Sequence, residues 1–293
     1  MGKARLNSAC IECLTKKHLT AYPENADENT KLLYMQKMLG IIANADNGMS
    51  APELVEEIDK IKEGLFGKTD DYGEIKKHFN ALMLKEEKEL TEEIGKYEDS
   101  LKRAFLIAMK GNYIDFGAMY KVDEGVLKNS LYGIVDNGDF DEEFSNLTAD
   151  LKKAKHLLYI TDNCGEIVAD KLFIKEIMKE FPHLSVKALV RGKEVLNDAT
   201  MDDAKDVGLD LIVPVIPNGT GVPGTSIEKV PSEVRKIISD ADVIISKGQG
   251  NFETLMYSGL NIYYIFMCKC EMFAKRFGVE PFTGMLLNDL RMK

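Results

Sequence analysis

The chain has 293 residues and a formal net charge of −10, and 45% of its residues are apolar. This composition supplies a buried core for one large domain or two modest ones, and it argues against general binding to nucleic acid or anionic membranes, which needs basic patches. No apolar run approaches the roughly 20 residues of a membrane helix, the N-terminus lacks a signal-peptide core, and the cysteines form no disulfide framework, so we expect a cytoplasmic protein.

Residues 1–150 show helical periodicity and predict a mainly helical region. Two apolar stripes have the spacing of a helix face: Leu32, Met35, Leu39 and Ile42, and then Leu54, Ile58, Ile61 and Leu65. Residues 66–72 suggest a loop, and residues 80–110 again suggest helix. The charge run at 85–89 is most simply a solvated helix face. The pattern breaks at 112–117.

Residues 151–293 alternate strand-like runs with helical patterns, which predicts βαβ crossovers and a mostly parallel sheet. Five strands are expected, at 157–160, 184–190, 211–215, 243–245 and 262–267. We therefore predict an α/β fold with three α/β/α layers and an N-terminal helical bundle region. The two regions, 1–150 and 151–293, are expected to form one active-site cleft.

Polar signatures follow the first two expected strands, at the sheet edge where open α/β folds bind ligands. Asp162 and Asn163 come after the first strand, and Asp198 comes after the second. The pairs Asp162–Asn163 and Asn197–Asp198 could each simply cap a helix. Together, two carboxylates and an amide supply three oxygen ligands for a divalent cation and leave positions for water and substrate. Glu166 could orient a ligand or a water molecule, whereas Asp202 and Asp203 are expected to be solvated charges.

Two further loops suggest phosphate binding. Lys247 ends the fourth expected strand, where its charge could meet a phosphoryl oxygen, although a surface lysine in a turn is equally consistent. The glycine-rich run at 218–224 could offer main-chain N–H groups, but it matches neither a Walker loop nor a dinucleotide-binding turn.

A Cys-x-x-Cys pair, Cys10 and Cys13, lies on an expected helix. A zinc site would need two more ligands, which Cys268 and Cys270 could supply. Redox chemistry is another alternative, and small buried thiols are the simplest interpretation. The four histidines form no spaced cluster.

Five motifs in chain order resemble the metal-dependent damage-control phosphatase family, long known as domain of unknown function 89, in its shorter archaeal and bacterial subgroup with an N-terminal Cys-x-x-Cys. The motifs occupy residues 10–13, 111–115, 162–166, 197–200 and 247–253. The resemblance implies that Asp162, Asn163 and Asp198 are metal ligands and that Lys247 contacts the substrate phosphate. It also implies that Asn112 and Asp115 reach the same cleft from the helical region.

The family's activity, as the resemblance implies it, is hydrolysis of small phosphate esters such as sugar phosphates or damaged phosphometabolites, with Mn, Co, Ni or Mg as cofactor. We expect metal-activated water to attack the phosphorus. The expected catalytic residues are Asp115 or Glu166 as proton acceptor and Lys247, and the expected substrate-binding residues are Asn112, Asn197, Asn251 and Lys247. A metal- or nucleotide-binding module without catalysis, and a carboxylate methyltransferase, remain alternatives.

Overall fold

The structure is a computed structural model that describes residues 6–46, 48–68, 72–112 and 124–292. In these ranges the helices of the first half are α1 (Ser8–His18), α2 (Glu28–Ala43), α3 (Ala51–Phe66), α4 (Gly73–Ile94), α5 (Ser100–Gly111), α6 (Glu124–Tyr132) and α7 (Asp141–Lys153). The second half contains β1 (His156–Ile160), α8 (Glu166–Glu180), β2 (Ser185–Val190), α9 (Met201–Asp206), β3 (Val215–Pro217), α10 (Ser232–Asp240), β4 (Val243–Lys247), α11 (Gln249–Leu255), β5 (Ile262–Cys268), α12 (Glu271–Phe277) and β6 (Thr283–Asn288). No described helix combines the length and apolarity needed to cross a membrane.

Helices α1 to α3 pack around an apolar cluster of their own. The predicted stripe on α3 is correct, since Leu54 and Ile58 are fully buried. The predicted stripe on α2 is only partly correct: Ile42 is buried, but Leu32 and Leu39 are 55% and 45% exposed. The other buried residues of α2 are Tyr34 and Met38. Helix α2 has apolar residues on several of its sides, so its sequence is compatible with two different buried stripes.

The charge run on α4 is only partly solvated, which corrects the prediction for residues 85–89. Glu86 is buried, and it accepts a hydrogen bond from the Tyr132 hydroxyl at 3.2 Å. Glu87 pairs with Lys171 of α8 at 2.8 Å. These carboxylates therefore connect α4 to its neighbours, because a charge that loses water needs a partner.

A six-stranded sheet in the order β3-β2-β1-β4-β5-β6 forms the centre of the second half. The first five strands run parallel, and β6 is antiparallel to β5. Two details differ from the prediction. The third strand is Val215–Pro217, later than expected, and the edge strand Thr283–Asn288 was not predicted.

Helices cover both faces of the sheet, because alternate strand residues point to opposite faces. Leu157 and Tyr159 join a core with α4, α5, α7 and α8 on one face. Leu158 and Ile160 join a second core with α10, α11 and α12 on the other face. The predicted three-layer α/β class with a mostly parallel sheet is therefore confirmed. The first core contains residues from both sides of position 150, and the division into two regions stays a prediction.

Candidate active site

The candidate site lies at the carboxyl ends of β1, β2 and β4. From β1 the chain first builds outward through β2 and β3, and it then returns to place β4 on the other side of β1. This reversal is a topological switch point, where the loops after neighbouring strands separate and leave a crevice. Asp162 follows β1, Arg191 follows β2, and Lys247 ends β4. The fold therefore collects these three charged residues at one edge.

Main-chain hydrogen bonds join the loops after β1 and β2. Asn163 and Asp198 form an isolated antiparallel bridge. The Ala199 N–H donates to the Asp162 carbonyl at 2.7 Å, and the Cys164 N–H donates to the Asn197 carbonyl at 2.8 Å. The structure thus brings the three predicted metal ligands together.

Helix capping does not account for these residues. The N-cap residue of α8 is Gly165, not Asp162 or Asn163, and as a glycine it forms no side-chain capping bond. Thr200 is the N-cap of α9, and Asp203 completes its capping box. The prediction that Asp203 is solvated is wrong, since it is buried and pairs with Lys76 of α4 at 2.6 Å.

Asn112, at the end of α5, connects the helical region to the candidate metal ligands. Its Nδ2 donates to Asp162 Oδ2 at 3.0 Å and to Glu166 Oε2 at 2.9 Å. Asn163 Nδ2 donates to the same two oxygens, at 2.7 and 3.0 Å. The structure therefore brings Asn112 to the candidate metal ligands, and its place in a substrate cleft stays a prediction. Asp115, the other residue predicted from this segment, lies outside the described residues.

Crowded negative charge marks this cluster. Burial, and then the charges of Glu166 and Asp198, raise the pKa of Asp162 well above its ordinary value, while Arg191 and Lys269 oppose the shift. Among the described residues, no three His, Cys, Asp or Glu side chains form a ready metal cluster. The predicted set comprises two carboxylates and one amide, and these oxygen donors fit a hard divalent cation that would offset the crowding.

Lys247 is fully buried, and its amine already has three acceptors. Nζ donates to Glu166 Oε1 at 2.7 Å, to Asp170 Oδ1 at 2.5 Å and to the Ala108 carbonyl at 2.9 Å. Burial lowers the pKa of Lys247, but Asp170 and Glu166 outweigh that effect and the pKa is raised overall. Contact with a substrate phosphate stays a prediction, and it would require the amine to exchange one of these partners.

Asp170 is a site residue that the sequence analysis missed. It is buried on α8, accepts the Tyr159 hydroxyl at 2.7 Å, and burial raises its pKa to about 7. A signal was present, because Glu166 and Asp170 are four residues apart and therefore share one face of α8.

Asn251 and Asn197 are both buried at the site. Asn251 Nδ2 donates to the Thr161 carbonyl at 3.0 Å and to the Lys247 carbonyl at 2.7 Å, so it joins the ends of β1 and β4. Its Oδ1 accepts from the Thr225 hydroxyl at 2.9 Å. The predicted roles of both asparagines in substrate binding stay predictions.

Two close backbone approaches shape the loops. At Gly248, with φ +82°, an added Cβ would lie 2.0 Å from Asp162 Oδ2. At Gly192, an added Cβ would lie 2.2 Å from the Gly219 nitrogen. The glycine-rich run at 218–224 therefore packs directly on the loop after β2. Asn218 Oδ1 also accepts from the Gly192 N–H at 2.9 Å, which fixes this contact.

The cysteines do not form a uniform set of buried thiols, contrary to the simplest interpretation. Cys13 is exposed, Cys10 and Cys270 are partly buried, and Cys164 and Cys268 are buried. Burial raises the pKa of Cys10, and the nearby charges of Glu253, Cys270 and Cys13 raise it further. The two ends of the chain therefore meet near these thiols.

The chain is similar to known proteins in both sequence and structure. Residues 6–283 match the family model described as the damage-control phosphatase ARMT1-like domain. A protein of Archaeoglobus fulgidus named damage-control phosphatase is 30% identical, with 94% of this chain and 96% of that protein aligned. A damage-control phosphatase of Pyrococcus horikoshii is 37% identical over 192 residues, which is 61% of this chain and 63% of that protein. The crystal structure of a domain-of-unknown-function-89 protein from Pyrococcus horikoshii superposes with a TM-score of 0.76 at 25% identity, covering 97% of this chain and 99% of that one.

Proposed function

The chain belongs to the damage-control phosphatase ARMT1-like domain family, and on this premise we propose that it is a metal-dependent phosphoric monoester hydrolase. Its proposed substrates are small phosphorylated metabolites, such as sugar phosphates or damaged phosphometabolites, and its proposed location is the cytoplasm. The observation that carries the proposal is the meeting of Asp162, Asn163 and Asp198 at the switch point of the sheet.

Asp162, Asn163 and Asp198 would hold the metal, with Mn, Co, Ni or Mg as candidates. A divalent cation there would polarise the phosphoryl oxygens and lower the pKa of a water molecule. The bridge between Asn163 and Asp198 supports this assignment, because main-chain pairing fixes the separation of the two side chains.

The other proposed site residues orient the metal ligands, accept a proton or offset negative charge. Glu166 accepts from both Asn112 and Asn163, so it aligns the amide of a proposed ligand. Asp115 is proposed to accept the proton of the attacking water. Lys247 keeps the buried carboxylates Glu166 and Asp170 from repelling one another and is proposed to exchange a partner for the phosphate.

A metal and substrate screen tests this function. Purified protein should release phosphate from p-nitrophenyl phosphate and from members of a sugar-phosphate panel when Mn²⁺, Co²⁺, Ni²⁺ or Mg²⁺ is added, and chelation should abolish the activity. Asp162→Asn and Asp198→Asn should each lower kcat/KM by about 10²-fold or more. The matched control is Asp202→Asn, whose side chain is 90% exposed on α9 and should leave kcat/KM unchanged.

Two results would overturn the proposal. One is activity that survives complete chelation. The other is wild-type activity in either ligand variant while the control behaves as expected. Metal binding without release of phosphate from any substrate would instead identify a binding module.

A further inference from the structure

Arg191 lies between the candidate metal ligands and the glycine-rich run at 218–224. It is the first residue after β2, and its side chain is only 1% exposed. A guanidinium keeps its charge when buried, and it presents its donors as a rigid planar fork. Arg191 therefore donates its hydrogen bonds in fixed directions, in addition to supplying a positive charge.

Two arms of the guanidinium have partners. Nε donates to Asp198 Oδ2 at 2.5 Å. Nη1 donates to the Gly224 carbonyl, and it reaches the Thr225 hydroxyl at 3.3 Å. One side chain therefore connects a candidate metal ligand to the end of the glycine-rich run.

Among the described residues, the third arm has no hydrogen-bond partner. Arg191 Nη2 is buried, and the Asp162 Oδ1 atom lies 3.9 Å away. Buried donors are almost always satisfied, so a buried one without a partner calls for an explanation. The gap exceeds a normal hydrogen bond by about 1 Å, which a small rotation of the Asp162 carboxylate would close.

We propose that Arg191 is a positioning residue that bridges Asp162 and Asp198, the two acidic metal ligands of the proposed function, and sets the distance between them. Nε binds Asp198, Nη2 faces Asp162 at ion-pair distance, and the contact of Nη1 with Gly224 fixes the fork against the glycine-rich run. Outer partners of this kind orient ligands and tune metal affinity. A lysine would not do this, because its donors all leave one nitrogen at the end of a flexible stem, whereas a guanidinium holds donors on separate nitrogens in a rigid plane.

The inference rests on the proposed function, and metal affinity tests it separately from activity. Calorimetry with Mn²⁺ should show a 10- to 100-fold weaker Kd for Arg191→Lys than for wild type. At saturating Mn²⁺, kcat on p-nitrophenyl phosphate should recover to within about threefold of wild type if Arg191 acts only through the ligands.

Arg103→Lys is the matched control. Arg103 is also buried and also binds a carboxylate, Glu93, at 2.9 Å. Its Nε likewise has no hydrogen-bond partner within the ranges that the structure describes. Its partners are not predicted site residues. This variant should lose stability while keeping Mn²⁺ affinity within twofold of wild type, so a general effect of damaging a buried arginine is separated from positioning.

Thr225→Val covers the case in which Arg191→Lys does not fold. It removes the hydroxyl that accepts from Nη1 and that also donates to Asn251 Oδ1, and it should weaken Mn²⁺ binding at least twofold. Unchanged Mn²⁺ affinity in a folded Arg191→Lys protein, or in Thr225→Val when the first variant fails to fold, overturns the inference. So does a raised KM for substrate with normal Mn²⁺ affinity, which would identify direct phosphate contact. Wild-type protein that neither binds Mn²⁺ nor releases phosphate overturns the proposed function instead.

Discussion

At Gly248, substitution by alanine would place a methyl group directly against the candidate site. The Gly248 backbone has φ +82° and ψ 153°, a region that is essentially restricted to glycine. A Cβ at this position would lie 2.0 Å from Asp162 Oδ2 and 2.1 Å from its Cγ. We therefore predict that Gly248→Ala displaces the Asp162 carboxylate and inactivates the protein.

The size of the effect follows from these distances. Ordinary van der Waals contact begins near 3.4 Å, so an oxygen at 2.0 Å has to retreat by about 1.4 Å. Misplacement of a reacting group by about 1 Å costs on the order of 10²-fold in rate. The unfavourable backbone adds about 1–3 kcal/mol of lost stability. Gly248→Ala should thus lower kcat/KM at least 100-fold and also lower the unfolding temperature.

The assay is phosphate release from p-nitrophenyl phosphate with Mn²⁺, combined with thermal unfolding by circular dichroism. Gly259→Ala is the control, because Gly259 also has a positive φ, +74°, but no atom of the described part of the chain lies within 4 Å of its added Cβ. It should lose stability and keep kcat/KM within threefold. A folded Gly248→Ala protein with wild-type kcat/KM and Mn²⁺ affinity would refute the reasoning.

Three other outcomes are expected. Lys247→Met leaves two buried carboxylates without their cation and should lower the free energy of unfolding by about 3–5 kcal/mol in chemical denaturation; an unchanged midpoint would contradict this. Burial raises the pKa of Glu253 from 4.5 to about 7, so its contribution to stability is present below pH 4.5 and is lost as the pH rises through 7. Glu253→Gln should therefore unfold at higher denaturant than wild type above pH 7, with the difference vanishing near pH 4. Cys13 is exposed, whereas Cys164 is buried with a raised pKa. Mass spectrometry should therefore find a thiol reagent on Cys13 before Cys164. Equal labelling of both cysteines in folded protein would contradict this prediction.

The strands β1, β2, β4 and β5 could be predicted because strands buried on both faces appear as continuous apolar runs. The edge strands could not. Residues 211–215 contain enough apolar side chains to suggest a strand, yet Leu211 is 86% exposed in a turn. The paired segment ends at Pro217, which an edge strand tolerates. The other edge strand begins with Thr283 and Gly284, neither of which suggests a buried strand.

The candidate ligands were predictable for a different reason. A parallel sheet places the loops after adjacent strands at one edge, so Asp162 and Asp198 were expected in the same region once β1 and β2 paired. The partners of Lys247 depend on which face of α8 meets β4, and only the packed structure fixes that face. Within the described residues, Arg191 Nη2 lacks a hydrogen-bond partner. This too depends on side-chain directions, which a sequence does not contain.

The bridge between Asn163 and Asp198 has a consequence for how this scaffold can change. Hydrogen bonds between main-chain atoms are indifferent to the side chains that flank them. The main-chain spacing of the two loops is therefore set independently of the side chains at those positions. On the proposed function, substitutions on the helices around the site would change which metabolites bind while this pairing is kept. Such engineering should retain Glu53 of α3 and Asn80 of α4, because they contact the surrounding loops at Ser226 and Gly165.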